Sequence, residues 1–96
     1  MGYDELLENL DPHEQQRYYG KYHAVVIDNY DPEQAGRIRV RVPEIFGDAD
    51  APAWAVPSWP AGSTPEEHRV PDVGAEVWVE FEAGDPDRPI WDGLLH

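Results

Sequence analysis

Residues 73–95 read VGAEVWVEFEAGDPDRPIWDGLL. Ala75, Val77, Val79 and Phe81 fall on one face of an extended segment, with Glu76, Trp78, Glu80 and Glu82 on the other. Alternation of this period marks a strand with one side on a core and one side in water. Ala83 to Pro89 then gathers two prolines, a glycine and two aspartates, the chemistry of a chain reversal. Ile90 to Leu95 resumes the extended pattern. The stretch therefore predicts two strands joined by a rigid, polar turn.

The same pattern recurs upstream. Arg37 to Val42, RIRVRV, puts Ile38, Val40 and Val42 inward and Arg37, Arg39 and Arg41 outward, and Pro43 ends the strand. Tyr19 to Asn29 is rich in β-branched and aromatic residues and predicts a first strand, with Gly20 as a bulge or close backbone approach. Tyr30 to Gly36 is turn chemistry. Ala53 to Ser58 offers a short third strand that Pro57 confines to an edge or a strand end. Glu44 to Pro52 reads as a loop, and Trp59 to Pro71 as a long polar excursion, functional or mobile. The expected core is Ile38, Val40, Val42, Val77, Val79 and Phe81. If the arginine strand lies beside the glutamate strand, their outer charges pair at about 0.2–1 kcal/mol each; the alternative is an arginine stripe for an anionic ligand.

Residues 1–17 differ in character. Tyr3, Leu6, Leu7 and Leu10 line one side of a short helix, with Asp4, Glu5 and Glu8 outside and Asp11-Pro12 as a stop. A helix this short is marginal alone. Two readings stand: a frayed tail, or an arm whose leucines order in a groove on a partner. We expect residues 18–96 to form the folded domain, all-β, after this short acidic N-terminal arm.

With 96 residues the chain holds one small core. There is no cysteine, which excludes disulfides and a thiol nucleophile. The N-terminus lacks the basic and apolar regions of a secretory signal, Leu6 stands where myristoylation needs Ser or Thr, and no apolar run is long enough to span a membrane. Twenty acidic residues against seven basic ones give a net charge of −13. The excess is spread out: residues 1–36 carry eight acids and two bases, residues 37–96 twelve and five. That field repels nucleic acid and anionic membrane. It fits either an ordinary acidic protein or a halophilic one, whose carboxylates stay hydrated while salt screens their repulsion.

No catalytic, cofactor or metal site is expected. His13, His23, His68 and His96 lack metal-ligand spacing, and the Asp28, Asp31, Glu33 cluster lacks the ligand count of a calcium loop. Gly20-Lys21 is no phosphate loop, and Ser58, Ser63 and Thr64 have no base at informative spacing. Carboxylate pairs are inevitable among twenty acids and point to nothing. The chain does not read as an enzyme.

Five short strands with a long loop before the fourth fit a Greek-key barrel of the OB type. The segments Tyr19-Gly20-Lys21-Tyr22, Val26-Ile27-Asp28-Asn29, Asp31-Pro32 and Gly36 to Pro43 resemble the opening of the OB domain of phage central-spike, baseplate-hub and type VI secretion spike proteins. Trp54-Ala55-Val56-Pro57, Val70 to Phe81 and Gly84 to Gly93 are similar to its continuation, so the resemblance covers roughly residues 18–95. It implies a structural virion protein: an adaptor or plug at the distal end of the tail tube, a homotrimer joining the baseplate hub to the spike or tip. Localisation would be the virion tail or an equivalent injection particle, made in the host cytoplasm. Members usually continue into a β-helical spike and some carry a hydrolytic domain; with neither present in these residues, piercing and hydrolysis do not carry over. The competing expectation is an OB module binding oligosaccharide or single-stranded nucleic acid through Trp54, Trp59, Trp78 and Trp91, although the charge is wrong for nucleic acid. Trp78, exposed among glutamates, is the candidate interface residue, with Leu6, Leu7 and Leu10 on the arm.

Overall fold

The computed structural model describes residues 17–64 and 68–95. The arm, with Leu6, Leu7 and Leu10, lies outside the described residues except for Arg17. In chain order the elements are β1 (Tyr22–Asp28), β2 (Arg39–Arg41), a short helix α1 (Pro43–Phe46), β3 (Val56–Pro57), β4 (Glu76–Phe81), a 3-10 turn (Glu82–Gly84) and β5 (Pro89–Leu94).

The strands form one sheet in the order β2-β1-β4-β5-β3. β1 runs antiparallel to both β2 and β4, β4 antiparallel to β5, and β5 parallel to β3. One antiparallel bridge, Ile38 with Ala55, ties the β2 edge to the β3 edge through paired N–H···O bonds of 3.0 and 2.7 Å. The sheet thus curls until its two edges meet, giving the partly open Greek-key arrangement of an OB barrel.

Curling needs local departures from regular pairing. β1 carries an extra residue, Ile27, between its Val26–Val40 and Asp28–Arg39 pairs. On β5, Asp92 and Gly93 together oppose the single residue Trp78, and Gly93 accepts φ +113 there. Bulges of this kind bend a strand and raise its twist. Gly20 has φ +99, but a side-chain carbon at that position would meet nothing within 4 Å, so it marks a bend before β1 and no close approach.

Alternation sets the interior. Ile38, Val40, Val42, Val77 and Val79 are fully buried, and Phe81 nearly so. Ala24, Val26, Ala51, Ala55 and Trp91 complete that cluster. Tyr18, Tyr22, Phe46 and Phe81 pack edge-on or tilted at one side of it, with ring centroids 5.8–6.4 Å apart. Trp91 is anchored by its indole N–H, which donates to the Gly36 carbonyl at 2.9 Å.

Two expectations need correction. The arginine strand and the glutamate strand are not neighbours: β1 lies between β2 and β4, so Arg39 and Arg41 cannot meet Glu76 and Glu80 across a ladder. Residues 44–52 are also not wholly loop. Pro43 begins a single helical turn, as proline at a first helical position can, and it brings Ile45 and Phe46 against the core. Four residues are too few for a 3.6-residue period to show in sequence.

Candidate interaction surfaces

The loop from Asn29 to Ile38 is built around one carboxylate. Asp31 is 7% exposed although it stands in a polar turn. Its Oδ1 accepts the Glu33 N–H at 2.9 Å, and its Oδ2 accepts the Ala35 and Arg37 N–H groups at 2.9 and 3.2 Å. The Arg37 guanidinium adds a two-pronged contact, Nε to Oδ2 at 3.0 Å and Nη2 to Oδ1 at 2.8 Å. That arginine beside it, reinforced by the three backbone N–H groups, holds the Asp31 carboxyl far below the ordinary aspartate range. Arg37 is correspondingly raised by Asp31. Asp28 Oδ1 accepts the Tyr30 N–H at 2.9 Å and presents Tyr30, three-quarters exposed, at the loop tip. The Asp28, Asp31, Glu33 cluster therefore spends its oxygens on this loop. Among the described residues no group of three His, Cys, Asp or Glu side chains could hold a metal ion.

Gly36 closes the loop at φ +79, and a side-chain carbon there would come within 2.6 Å of the Trp59 ring. Trp59 in turn stacks on His68, centroids 4.7 Å apart and planes 16° off parallel. Asn29 donates from its amide to the Pro71 carbonyl at 3.1 Å. These contacts fasten both ends of the long excursion to the loop. A cavity of about 310 Å³ remains between them, bordered by Tyr30, Gln34, Trp59, His68 and Val70.

The outer face of β4 is different in kind. Trp78 is 37% exposed and sits between Glu76 and Glu80, opposite His23 of β1. His23 Nε2 lies 3.0 Å from Glu76 Oε1. Lys21 pairs with Asp92 at 2.8 Å, a contact that raises the lysine pKa. Among the described residues the face is an indole among carboxylates, with Lys21 and His23 as its cationic or titratable cover.

The outer face of β2 meets the third surface. Arg37 and Arg39 each place their guanidinium carbon 5.6 Å from the centre of the Trp54 ring. Arg41 pairs with Asp50 at 2.9 Å, and Arg37 with Glu33 as well as Asp31. A groove of about 250 Å³ runs beside Trp54, lined by Val56, Glu82, Asp87, Arg88, Pro89 and Ile90.

The four tryptophans thus do different work. Trp91 is core, Trp59 is stacked on His68, Trp54 carries two arginines, and Trp78 stands on the outer sheet. They do not form one continuous stacking platform of the sort single-stranded ligands use. Sequence reasoning missed the roles of Asp31 and Trp54. An Asp-Pro pair five residues ahead of Gly36-Arg37 was the available signal for the first; nothing local signals the second.

Among the described residues no helix is long and apolar enough to cross a membrane. No curated protein matches the chain. A family profile described as the type VI secretion system/phage-baseplate injector OB domain matches residues 22–96. That span takes in all five strands, the Asp31 loop and the Trp78 face, and the barrel connectivity is that of an OB fold. The chain belongs to the family of type VI secretion and phage-baseplate injector OB domains.

Proposed function

We propose that this domain is a structural adaptor, or plug, at the distal end of a tail tube, joining the baseplate hub to a spike or tip. Three copies surround the tail axis, and the domain performs no catalysis. The observation that carries this reading is the family match over the whole barrel. Two features support it. A barrel on an axis must obey the axis symmetry, and threefold packing buries area that so small a chain lacks alone. The outer sheet also offers Trp78, an exposed aromatic of the kind that anchors interfaces. Its setting among Glu76, Glu80 and Asp92 favours a partner rich in arginine. The net charge of −13 supports a particle that works in high salt.

Imaging of the intact particle tests the position: density for this domain is expected on the tail axis, beyond the tube. Light scattering with and without the hub protein tests the assembly. A strictly monomeric domain that joins no hub at any salt concentration rules the reading out.

A further inference from the structure

The loop between β1 and β2 keeps a side chain where its backbone suits glycine. Gln34 has φ +52, in the left-handed region, and its N–H donates to the Asp31 carbonyl at 2.9 Å. Glycine adopts that conformation freely, whereas a residue with a Cβ is strained in it. Such strain persists only where the surroundings hold it, and it gathers at sites that bind. The Gln34 side chain borders the cavity of about 310 Å³. The strained position therefore sets a carboxamide in a cavity wall.

The rest of the wall is pre-positioned. The edge of the Trp59 ring rests against Gly36, and its face is stacked on His68 with centroids 4.7 Å apart. Tyr30 is presented by its N–H bond to the Asp28 carboxylate, and Val70 adds apolar lining. Asn29 is oriented by its 3.1 Å bond to the Pro71 carbonyl, and a carboxamide has capacity for more bonds than that one. The volume falls at the low end of small-ligand sites, about 300–1,000 Å³, which combine apolar walls with a few placed polar groups.

Charge narrows the ligand. Asp31 brings a carboxylate to the wall, but Arg37 and three backbone N–H groups already answer it. The site thus favours a neutral molecule, and the overall charge of −13 disfavours an anion, a nucleotide included. Aromatic rings flanked by two amides complement a ligand with C–H faces and a hydroxyl rim. A pyranose ring has that make-up.

We propose that this cavity binds one sugar ring of a neutral oligosaccharide, with Trp59 and Tyr30 against the ring and the Gln34 and Asn29 amides on its hydroxyls. The proposal goes beyond the adaptor reading and does not depend on where in the particle the domain sits.

The probes are maltotriose, cellotriose and triacetylchitotriose, each titrated into the full isotopically labelled chain. At least one should give saturable NMR shifts at the Trp59 indole, Tyr30, Gln34 and Asn29, with millimolar affinity. Gln34→Gly separates binding from folding. It should melt close to the parent or above it, because the left-handed strain is relieved, and bind that sugar roughly tenfold more weakly. Trp59→Ala should abolish binding, and trigalacturonate, an anionic sugar, should bind more weakly than the neutral one. Unchanged binding by Gln34→Gly, shifts confined to the Trp78 face or the Trp54 groove, or no saturable shift from any of the three sugars overturns the proposal. So does the blocked peptide acetyl-Pro-Pro-Pro-Pro-amide saturating these residues where no sugar does. Nuclear Overhauser contacts in the free chain from Pro65, Leu6, Leu7 or Leu10 to the Trp59 ring also overturn it, since the chain would then fill its own cavity. None of these outcomes bears on tail position or hub binding, which imaging and light scattering read separately.

Discussion

β2 and β4 both alternate, yet they handle charge in opposite ways. The arginines around β2 are met by acids close in the chain: Asp31 and Glu33 just before it, Asp50 just after it. Those pairs tie loops to the barrel, and the most buried of them organises a whole loop. On β4, among the described residues, Glu76 pairs with His23 alone, and the cation near Glu80 and Asp92 is Lys21. One face is largely closed on itself and the other still faces outward with unspent charge. Like residues at like spacing therefore serve architecture on one strand and remain available to partners on the other. Local loops decide which.

The comparison breaks most readily on the inner side of β4. Val79→Asp places an unpaired charge in the core and should cost about 4 kcal/mol or more, near the whole stability of a domain this size. Its neighbour on the outer face, Glu80→Val, should stay within about 0.5 kcal/mol. Chemical denaturation of both variants checks the contrast; if Val79→Asp melts like the parent, the face assignment of β4 fails.

Asp31→Asn should come next, because it removes the charge that holds three backbone N–H groups and Arg37 together. A depressed folded-state pKa means that Asp31 stabilises the fold above its ordinary value of 3.8 and that this contribution fades as pH falls below it. The melting temperature of the variant should thus lie several degrees below the parent at neutral pH, and the gap should narrow in acid. A gap that is constant from neutral pH to well below 3.8 would place the loop's stability elsewhere. Glu76→Gln, on the outward face, should melt close to the parent at neutral pH.

Salt sharpens the same contrast over the whole surface. Shrinking the Debye length from about 30 Å to about 3 Å should raise the melting temperature by relieving carboxylate repulsion. A flat or falling melting temperature would remove the support for high-salt adaptation. Trp78→Ala should leave the monomer folded, with a melting temperature only slightly lower, and weaken the proposed threefold assembly or the proposed docking to a hub in light scattering. Unchanged assembly would move the interface off β4. The smallest expected effect is none: polarisation titration with single-stranded nucleic acid should give no binding at physiological salt. Micromolar affinity there would favour the ligand-binding alternative.

Alternation in residues 37–42 and 75–82 was sufficient by itself to say which side chains face inward, because successive residues on a strand point to opposite sides whatever the neighbours are. Turn chemistry separated the strands, and the ordered run of matched segments was enough to suggest the family. Which strands lie side by side was not legible, since alternation says nothing about partners: β1 came between the arginines and the glutamates, and β3 joined β5 in parallel. The burial of Asp31 also depended on the folded loop, which turns three N–H groups and an arginine onto one carboxylate. Likewise Gly36, Trp59, His68 and Trp91 are far apart in the chain and meet only when the sheet curls shut. Face is a property of neighbouring residues and can be read locally; pairing, burial of charge and the grooves arise from closure, which the chain reaches only as a whole.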